Sequence, residues 1–458
     1  MSIADRVLDR IDASREDLAD LALRLGNTYS PWGSERLLAD EVLAWYREHG
    51  VPAELQPITD RRANVVARLR GSGGGRSVLF NAHLDTEASG PEYDRLMAVP
   101  DPNRVGGRRE GDRLFGHTIL NDRGPMSLFM IAGRALLDAG APLRGDVVLT
   151  SVAGETGAAP VDEYEGVAYE GKGFGSSYLV RHGVRGDYAL VAETTDFGLC
   201  WFNCGAAYYK ITLDGRNMYT PRLRRPAELA DHPNAIVKAA RVVEAVEAWA
   251  QEFEAGRSGP TPCGEVRPKA QVGAIRGGLP WRPNRSSPYC ALYVDVRTLP
   301  DEDFEDVTAA LTAAVAATGT GGRVELIMAK PGAVADGVEP LADAVRDAHR
   351  DVRGSEAPAE VEVTMAKAGA IATGIEGLRD AVAGAHEHVL GVPPRPEAAA
   401  AVVSMWRDTN VFNRAGIPSL TFGPSRGRAD VQGEGYFALD DLVDAAKMYA
   451  LTALRLAA

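Results

Sequence analysis

Apolar residues recur at helical spacing in two segments near the start of the chain. The first segment, residues 18–25, follows Ser14 and Asp17, which resemble a capping box, and Gly26 closes it. The second segment covers residues 38–45, with its apolar side chains on one face. Both segments predict amphipathic helices that pack one face against a core.

Short continuous apolar runs come next and are typical of strands that are buried on both faces. A further helix is predicted between them, from near Pro125 to Gly140. This alternation of helices and buried strands favours an α/β fold with a mostly parallel sheet. The apolar runs cover residues 64–69, 77–80, 147–152 and 188–192.

The pattern changes near residue 205. Residues 206–213 alternate between apolar and polar positions like a half-exposed strand, and the elements that follow predict a β-α-β-β-α-β unit. Helix–strand alternation of the first kind resumes near residue 337. We therefore predict a main α/β domain formed by residues 1–204 and 331–458, interrupted by a smaller domain at 205–330.

Composition and charge narrow the class of protein. The 458 residues suffice for two or three domains, and the formal net charge of −13 argues against nucleic acid or an anionic membrane as a partner. No apolar run approaches the roughly 18 residues of a membrane span, and the first residues lack the apolar region of a signal peptide. The four cysteines include no CxxC pair, so we expect a cytoplasmic location.

Acidic, amide and imidazole side chains stand at the predicted strand ends or just before a helix. Ligands of open α/β sheets bind outside the carboxyl ends of the strands, so we expect these groups to lie together. A single histidine or glutamate there is more often an ordinary core or solvated residue, but three such strand ends favour a shared divalent-metal site. The residues are His83, Asp85, Asn121, Asp122, Glu155 and Glu193.

Four motifs carry a resemblance to a known family. They are LFNAHLDT at 79–86, GDRLFGHTILNDRG at 111–124, SVAGETG at 151–157 and LVAETT at 190–195. In their order and spacing they resemble the M20 metallopeptidases and deacylases, which include acetylornithine deacetylase, succinyl-diaminopimelate desuccinylase and carboxypeptidase G-like enzymes. The resemblance implies an α/β catalytic domain with an inserted lid domain that pairs two subunits into a homodimer.

The resemblance also implies roles for individual residues. His83, Glu155 and Glu193 match metal ligands of the family, and Asp85 matches the carboxylate that stands behind the histidine. The position of the bridging aspartate falls on Asn121, or on Asp122 after a shift of one residue.

Positions on the lid and near the C-terminus match further family residues. Asp430 stands where the family has its last metal ligand, a histidine, and Tyr219 stands where the lid has a histidine. Asn284 on the lid and Arg407 in the C-terminal loop match substrate-binding positions. The resemblance implies that Arg407 binds a carboxylate of the substrate. An ion pair with Asp408, or a contact with a helix end, would equally explain an arginine there.

This sequence departs from the family pattern at four catalytic positions. Besides Asn121, Tyr219 and Asp430, the position of the general base is Gly154, which has no side chain to accept a proton. Loss of a general base is expected to slow hydrolysis about 10²- to 10⁴-fold. We expect that Gly154→Glu would restore a base and raise hydrolysis about tenfold.

Three hypotheses about function follow. The first is a metal-assisted hydrolase for an amide bond in a small N-acyl amino acid or peptide-like substrate, with Tyr219, Asp122 or His117 as the base. The second is a repurposed enzyme that catalyses acyl transfer, cyclisation or a lyase step, in which a missing base protects an intermediate from water. The third is a catalytically silent binding homologue.

The cofactor and partners follow from the same residues. We expect a divalent metal ion (Zn²⁺, Mn²⁺ or Mg²⁺), as one ion rather than two or as none in a repurposed site. The carboxylate-rich donor set favours Mn²⁺ or Mg²⁺ over Zn²⁺. The expected partners are a small carboxylate-bearing substrate and a second copy of the chain, with neither nucleic acid nor membrane.

Overall fold

The structure is a computed structural model that describes most of the chain. The residues described are 1–86, 106–201, 203–261, 264–332, 376–394, 405–428 and 435–458. Within these ranges the fold is a mixed α/β domain with a second, separate sheet, so the predicted fold class is confirmed.

A six-stranded sheet forms the centre of the main domain. Its strand order is β1-β2-β6-β3-β7-β14, and the pairs β6–β3, β3–β7 and β7–β14 are parallel. The other two pairs, β1–β2 and β2–β6, are antiparallel. The strands are β1 Ala53–Pro57, β2 Ala63–Leu69, β3 Val78–His83, β6 Val147–Val152, β7 Tyr188–Ala192 and β14 Ser419–Phe422.

Helices cover both faces of this sheet because successive strand side chains point to opposite sides. Phe80 of β3 belongs to the larger core and its neighbour Leu79 to a smaller core on the other face. The smaller core includes residues of α5 and α9, which shape the surface near the site. The helices are α1 Ile3–Ala13, α2 Arg15–Asn27, α3 Arg36–Glu48, α4 Gly124–Asp138, α5 Phe174–Arg181, α8 Glu376–Leu390, α9 Thr409–Arg414 and α10 Leu439–Ala457.

The second sheet is antiparallel, with strand order β11-β12-β8-β13. Helices α6 and α7 cover one face and form a separate apolar core with it. Strand β11 is an edge strand with an exposed outer face. The elements are β8 Gly205–Asp214, α6 Ala235–Glu254, β11 Lys269–Gly277, β12 Tyr289–Thr298, α7 Phe304–Ala317 and β13 Arg323–Lys330.

Shorter strands complete the described chain. Strands β9 and β10 pair with each other, and β4, β5, β15 and β16 form a small sheet of order β15-β16-β5-β4. The small sheet packs beside the segment that carries Asn121 and Asp122. The strands are β4 Arg108–Glu110, β5 Arg113–Phe115, β9 Gly259–Thr261, β10 Gly264–Val266, β15 Gly427–Arg428 and β16 Gly435–Ala438.

The expected capping box at Ser14 is wrong. Ser14 is the N-cap of α2 but its side chain bonds back to the carbonyl of Arg10, so it caps nothing ahead of it. The capping box forms instead at Ser2 and Asp5, at the start of α1. The cause is that α1 runs directly into α2, which gives the Ser14 hydroxyl a carbonyl acceptor one turn earlier.

Two observations bear on location. Among the described residues, no helix has the length and apolar character needed to cross a membrane. Cys200, Cys204 and Cys290 are buried thiols outside any disulfide.

Candidate active site

Three potential metal ligands converge at the carboxyl ends of three neighbouring parallel strands. His83 is the last residue of β3, Glu193 directly follows β7, and Glu155 lies three residues beyond β6. One ligand atom from each lies within 4.8 Å of the other two. Because β3 lies between β6 and β7, the strand order alone brings these residues together. We call these three residues the strand-end cluster.

The ring of His83 is held in one orientation. Its Nδ1 lies 2.8 Å from the backbone carbonyl oxygen of Asp85, an acceptor, so Nδ1 carries the proton and donates it there. In the neutral ring Nε2 keeps a lone pair, and it faces the Oδ1 atom of Asn121 at 2.9 Å. Two atoms with lone pairs at this distance need a proton or a metal ion between them. This arrangement fits a metal site.

Asp85 ties the end of β3 to the loop after β6. Its carboxylate accepts hydrogen bonds from the backbone N–H of Glu155 at 3.0 Å, from the backbone N–H of Thr156 at 2.8 Å and from the Thr156 hydroxyl. Burial alone would raise the pKa of Asp85, but the charge of His83 and these hydrogen bonds outweigh it and lower the pKa. The carboxylate is therefore held ionised directly behind the strand-end cluster.

Asn121 and Asp122 point in different directions. The Asn121 side chain faces the His83 ring, whereas Asp122 Oδ2 accepts from the backbone N–H of His83 at 3.3 Å. The peptide bond between them is cis. Asp122 Oδ1 is buried without a hydrogen-bond partner among the described residues. Burial and the charge of Glu193 raise the pKa of Asp122 well above its ordinary value.

The electrostatics of the cluster also suit a cation. Burial raises the pKa of Glu155 to about 8; the charges of Lys172 and His83 oppose this rise, and those of Glu193 and Asp408 add to it. Burial would lower the pKa of His83, yet Asp122, Asp85, Glu155 and Glu193 raise it to about 10. So many buried carboxylates around one imidazole require positive charge nearby.

Comparisons with known proteins identify the fold that carries these residues. Residues 203–322 match the family model of the peptidase dimerisation domain of M20 enzymes. Human carnosine dipeptidase 1 superposes with a TM-score of 0.65 at 12% identity, covering 100% of this chain and 99% of that one. The chain has the fold of the M20 peptidases.

Two bacterial structures extend the likeness. Aminopeptidase PepT from Bacillus cereus has a TM-score of 0.59 at 15% identity, over 96% of this chain and 98% of that one. The YXEP protein of Bacillus subtilis, a dinuclear metal-binding peptidase of the M20 family, has a TM-score of 0.54 at 12% identity, over 97% and 98%. The predicted resemblance to M20 enzymes is thus confirmed for the fold and the dimerisation domain.

The geometry at position 154 disfavours the expected role of a glutamate there as a base. Gly154 has a φ of +71°, a backbone conformation that side chains rarely adopt. A Cβ atom there would meet the guanidinium of Arg62 and would lie 2.7 Å from the carbonyl oxygen of Glu170. A side chain at position 154 of this chain would therefore collide with buried groups beside the site.

Those groups form a buried ion pair that the sequence analysis missed. The Arg62 guanidinium donates to both carboxylate oxygens of Glu35, at 2.8 and 2.9 Å, and both side chains are fully buried. It also donates to the carbonyls of Val167 and Glu170 at 2.9 and 2.8 Å. The pair therefore anchors the loop that follows Glu155. The sequence does not predict it, because Glu35 and Arg62 belong to no common motif.

Arg407 lies beside the strand-end cluster, and it is buried. Its Nε lies 3.9 Å from Glu193 and its Nη1 donates to Asn203 at 3.3 Å. The neighbouring Asp408, which the sequence analysis considered only as a partner for Arg407, instead accepts from Asn81 at 3.0 Å and from Ser176 at 2.7 Å. Burial raises the pKa of Asp408 to about 6.

The predicted lid residues lie together, away from these contacts. Tyr219 is 45% exposed, and its backbone forms an isolated antiparallel β-bridge with Arg285. The backbone N–H of Thr220 donates to the carbonyl of Asn284 at 3.0 Å. Among the described residues, no hydrogen bond or ion pair joins Tyr219 or Asn284 to the strand-end cluster. Asp430, predicted as the last metal ligand, lies outside the described residues.

Proposed function

We propose that the protein is a metal-dependent hydrolase for an amide bond in a small N-acyl amino acid or peptide-like substrate. The observation that carries this proposal is the strand-end cluster, His83, Glu155 and Glu193, with its ligand atoms within 4.8 Å of one another. The M20 peptidase fold supports the class of reaction, because the known proteins that share it are described as peptidases.

The residues present fit a divalent ion. His83 Nε2, the carboxylates of Glu155 and Glu193 and the Asn121 oxygen would hold it, and we keep Asp430 as a further ligand on the resemblance alone. Such an ion polarises a carbonyl and lowers the pKa of bound water. Because Asn121 is neutral, it holds two cations together less well than an aspartate, so we expect one ion, Mn²⁺ or Mg²⁺ rather than Zn²⁺.

The protein's own groups orient the ligands and accept the proton. Asp85 fixes the His83 ring through its backbone carbonyl, and its carboxylate fixes the loop that carries Glu155. Gly154 offers no base, so another group must take the proton from water. Asp122, with a buried unpartnered oxygen beside His83, is favoured over the exposed Tyr219. We expect slow hydrolysis compared with an enzyme that has a carboxylate base.

A panel of acetyl, formyl and succinyl amino acids and dipeptides, assayed with added metal, tests the proposal. Glu193→Gln should reduce hydrolysis at least about 100-fold, because it removes a ligand charge. Glu165→Gln removes the same charge from an exposed glutamate and should change nothing. Equal rates for wild type and Glu193→Gln would contradict the proposal.

The closed space at Gly154 favours a second candidate, a non-hydrolytic enzyme that catalyses acyl transfer, cyclisation or a lyase step. A site without a base beside bound water protects an intermediate from hydrolysis. Mass spectrometry of the products separates the candidates, since only hydrolysis adds the elements of water. A silent binding homologue would show no turnover with either reaction type.

We also propose that the substrate carries a carboxylate that Arg407 recognises. The guanidinium borders the strand-end cluster through Glu193, and a planar fork can pair with a carboxylate through two hydrogen bonds. Arg407→Lys keeps the charge but loses the fork, and should raise the apparent KM about tenfold. An unchanged KM would show that Arg407 serves only its internal contacts.

We propose a cytoplasmic homodimer that forms through the second sheet, in keeping with the dimerisation-domain match. Apolar side chains are exposed on α6 and on the edge strand β11, namely Ile236, Val237 and Ile275. The exposed Tyr219 and Asn284 would then be free to reach the partner subunit's site. A monomeric mass in light scattering at micromolar concentration would contradict the dimer.

A further inference from the structure

A second cavity, of about 370 Å³, lies between helices α5 and α9 and the end of strand β13. Among the residues that the structure describes, every charged residue that lines it is a cation. His83, Glu155 and Glu193 are not among the lining residues, so the cavity is separate from the strand-end cluster. The cations are Lys172, Arg181, Lys330 and Arg414.

These four side chains lack the carboxylate partners that other basic residues of the protein have. Several other arginines pair with carboxylates, as Arg109 does with Glu16 at 2.6 Å and Arg134 with Asp17 at 2.8 Å. Within the part of the chain that the structure describes, the cavity's four cations make no side-chain hydrogen bond and no ion pair. In a chain with a net charge of −13, four cations around one cavity without a contacting carboxylate among the described residues favour an anionic ligand.

The cations also act on one another. Burial lowers the pKa of Lys330; the charge of Glu170 opposes this, and the charge of Arg181 adds to the lowering. Burial would lower the pKa of Lys172, but Tyr208 and Glu155, which do not line the cavity, outweigh burial and raise it. Bringing an anion into the cavity would relieve the repulsion between Lys330 and Arg181.

We propose that this cavity binds a small molecule that carries at least two anionic groups, phosphate or carboxylate. Its volume is at the lower end of the range for small-molecule sites. Arg181 and Arg414 can each bind an oxyanion through two hydrogen bonds, and the lysines add charge. The polar side chains of Ser177 and Asn410 also line the cavity and can complete such a site. Activity of the strand-end cluster is not required for this binding.

Calorimetric titration with inorganic pyrophosphate and, separately, with tricarballylate tests the proposal and distinguishes phosphate from carboxylate recognition. At least one should bind saturably with one molecule per chain, more weakly as salt rises. Lys330→Met and Arg414→Gln should each weaken binding about tenfold. Arg225→Gln, at an exposed arginine outside the cavity, should leave it unchanged.

His83→Ala separates this site from the proposed metal centre. It should abolish metal-dependent activity and leave polyanion binding intact. Absence of saturable binding to the wild type would overturn the proposal. The proposal would also be overturned if His83→Ala abolished polyanion binding while Lys330→Met and Arg414→Gln both retained it. Two independent substitutions, each checked by thermal melting, ensure that one misfolded variant does not decide the outcome.

Discussion

The two regions that carry the predicted site residues are built in opposite ways. His83 and Glu155 of the strand-end cluster are buried and Glu193 is half-buried, and Asp85 fixes the histidine ring and the loop that carries Glu155. The lid loops with Tyr219 and Asn284 are exposed and contact mainly each other. A parallel sheet positions its strand-end residues by itself, whereas a residue on a second domain needs the placement of that domain, and of a partner subunit, to become part of a site.

The buried Arg62–Glu35 pair offers the largest perturbation of the strand-end region. Arg62→Met should lower the free energy of unfolding by about 3–5 kcal/mol, because it leaves the Glu35 carboxylate buried without its partner. Denaturant unfolding measures this. Arg36→Met, which breaks an exposed pair with Asp40, is the matched control and should cost less than about 1 kcal/mol. Similar losses in both variants would mean that the loop beside Glu155 is not held by the buried pair.

Gly154 tests how tightly the same region is packed. Gly154→Ala should destabilise the protein by about 1–3 kcal/mol, because its φ of +71° is unfavourable and the new Cβ meets Arg62 and Glu170. Gly140→Ala shares a positive φ of +63° but has open space around it, so the difference between the two variants isolates the crowding. Equal effects in thermal melting, or a gain of hydrolysis in Gly154→Glu, would contradict this packing.

Tyr219 tests the lid region. Tyr219→Phe should lower kcat about tenfold, roughly 1.4 kcal/mol, if the hydroxyl reaches a reacting group during turnover. Stability and metal content should stay unchanged, because the Tyr219 side chain is exposed and, among the described residues, makes no hydrogen bond to the strand-end cluster. Steady-state kinetics with elemental analysis separates these effects. An unchanged kcat would remove Tyr219 from the catalytic residues.

Asp162 connects the main domain to the second sheet, and its substitution should give the smallest change in stability. Its carboxylate accepts from Lys210, Arg276 and Tyr293 of the second sheet at 2.9–3.0 Å. The Lys210 hydrogen bond is the main cause that lowers the pKa of Asp162 below 3.8. A lowered pKa adds stability above the unfolded value, and this stability is lost as pH falls through the folded value.

Asp162→Asn should therefore cost less than about 1 kcal/mol at pH 7, since the partners are partly exposed. The difference from the wild type should shrink as the pH falls below about 3.8. Unfolding curves at several pH values measure it. A difference that stays constant to the lowest pH would show that the carboxylate charge is not involved.

The sequence predicted what the backbone pattern determines and missed what side-chain packing determines. Strands β6 and β7 have the predicted bounds, because their continuous apolar runs match their burial. His83, Glu155 and Glu193 converge as predicted, since strand order fixes strand ends.

Contacts between residues far apart in the chain leave no periodic pattern in the sequence that would predict them. The Glu35–Arg62 pair and the anchoring of Asp408 by Asn81 and Ser176 join residues far apart in the chain. The motif register predicted that position 154 is the place of the general base, yet it contained no information on the φ angle or on the neighbours that crowd a side chain there.

Metal content measured by elemental analysis tests the central claim most directly. After gel filtration in buffer containing Mn²⁺, the wild type should retain about one ion per chain, and Glu193→Gln and His83→Ala should each lose it while remaining folded. Glu165→Gln should retain the ion. Metal retained equally by the wild type and both ligand variants, or by none of these proteins, would contradict a metal centre at the strand-end cluster.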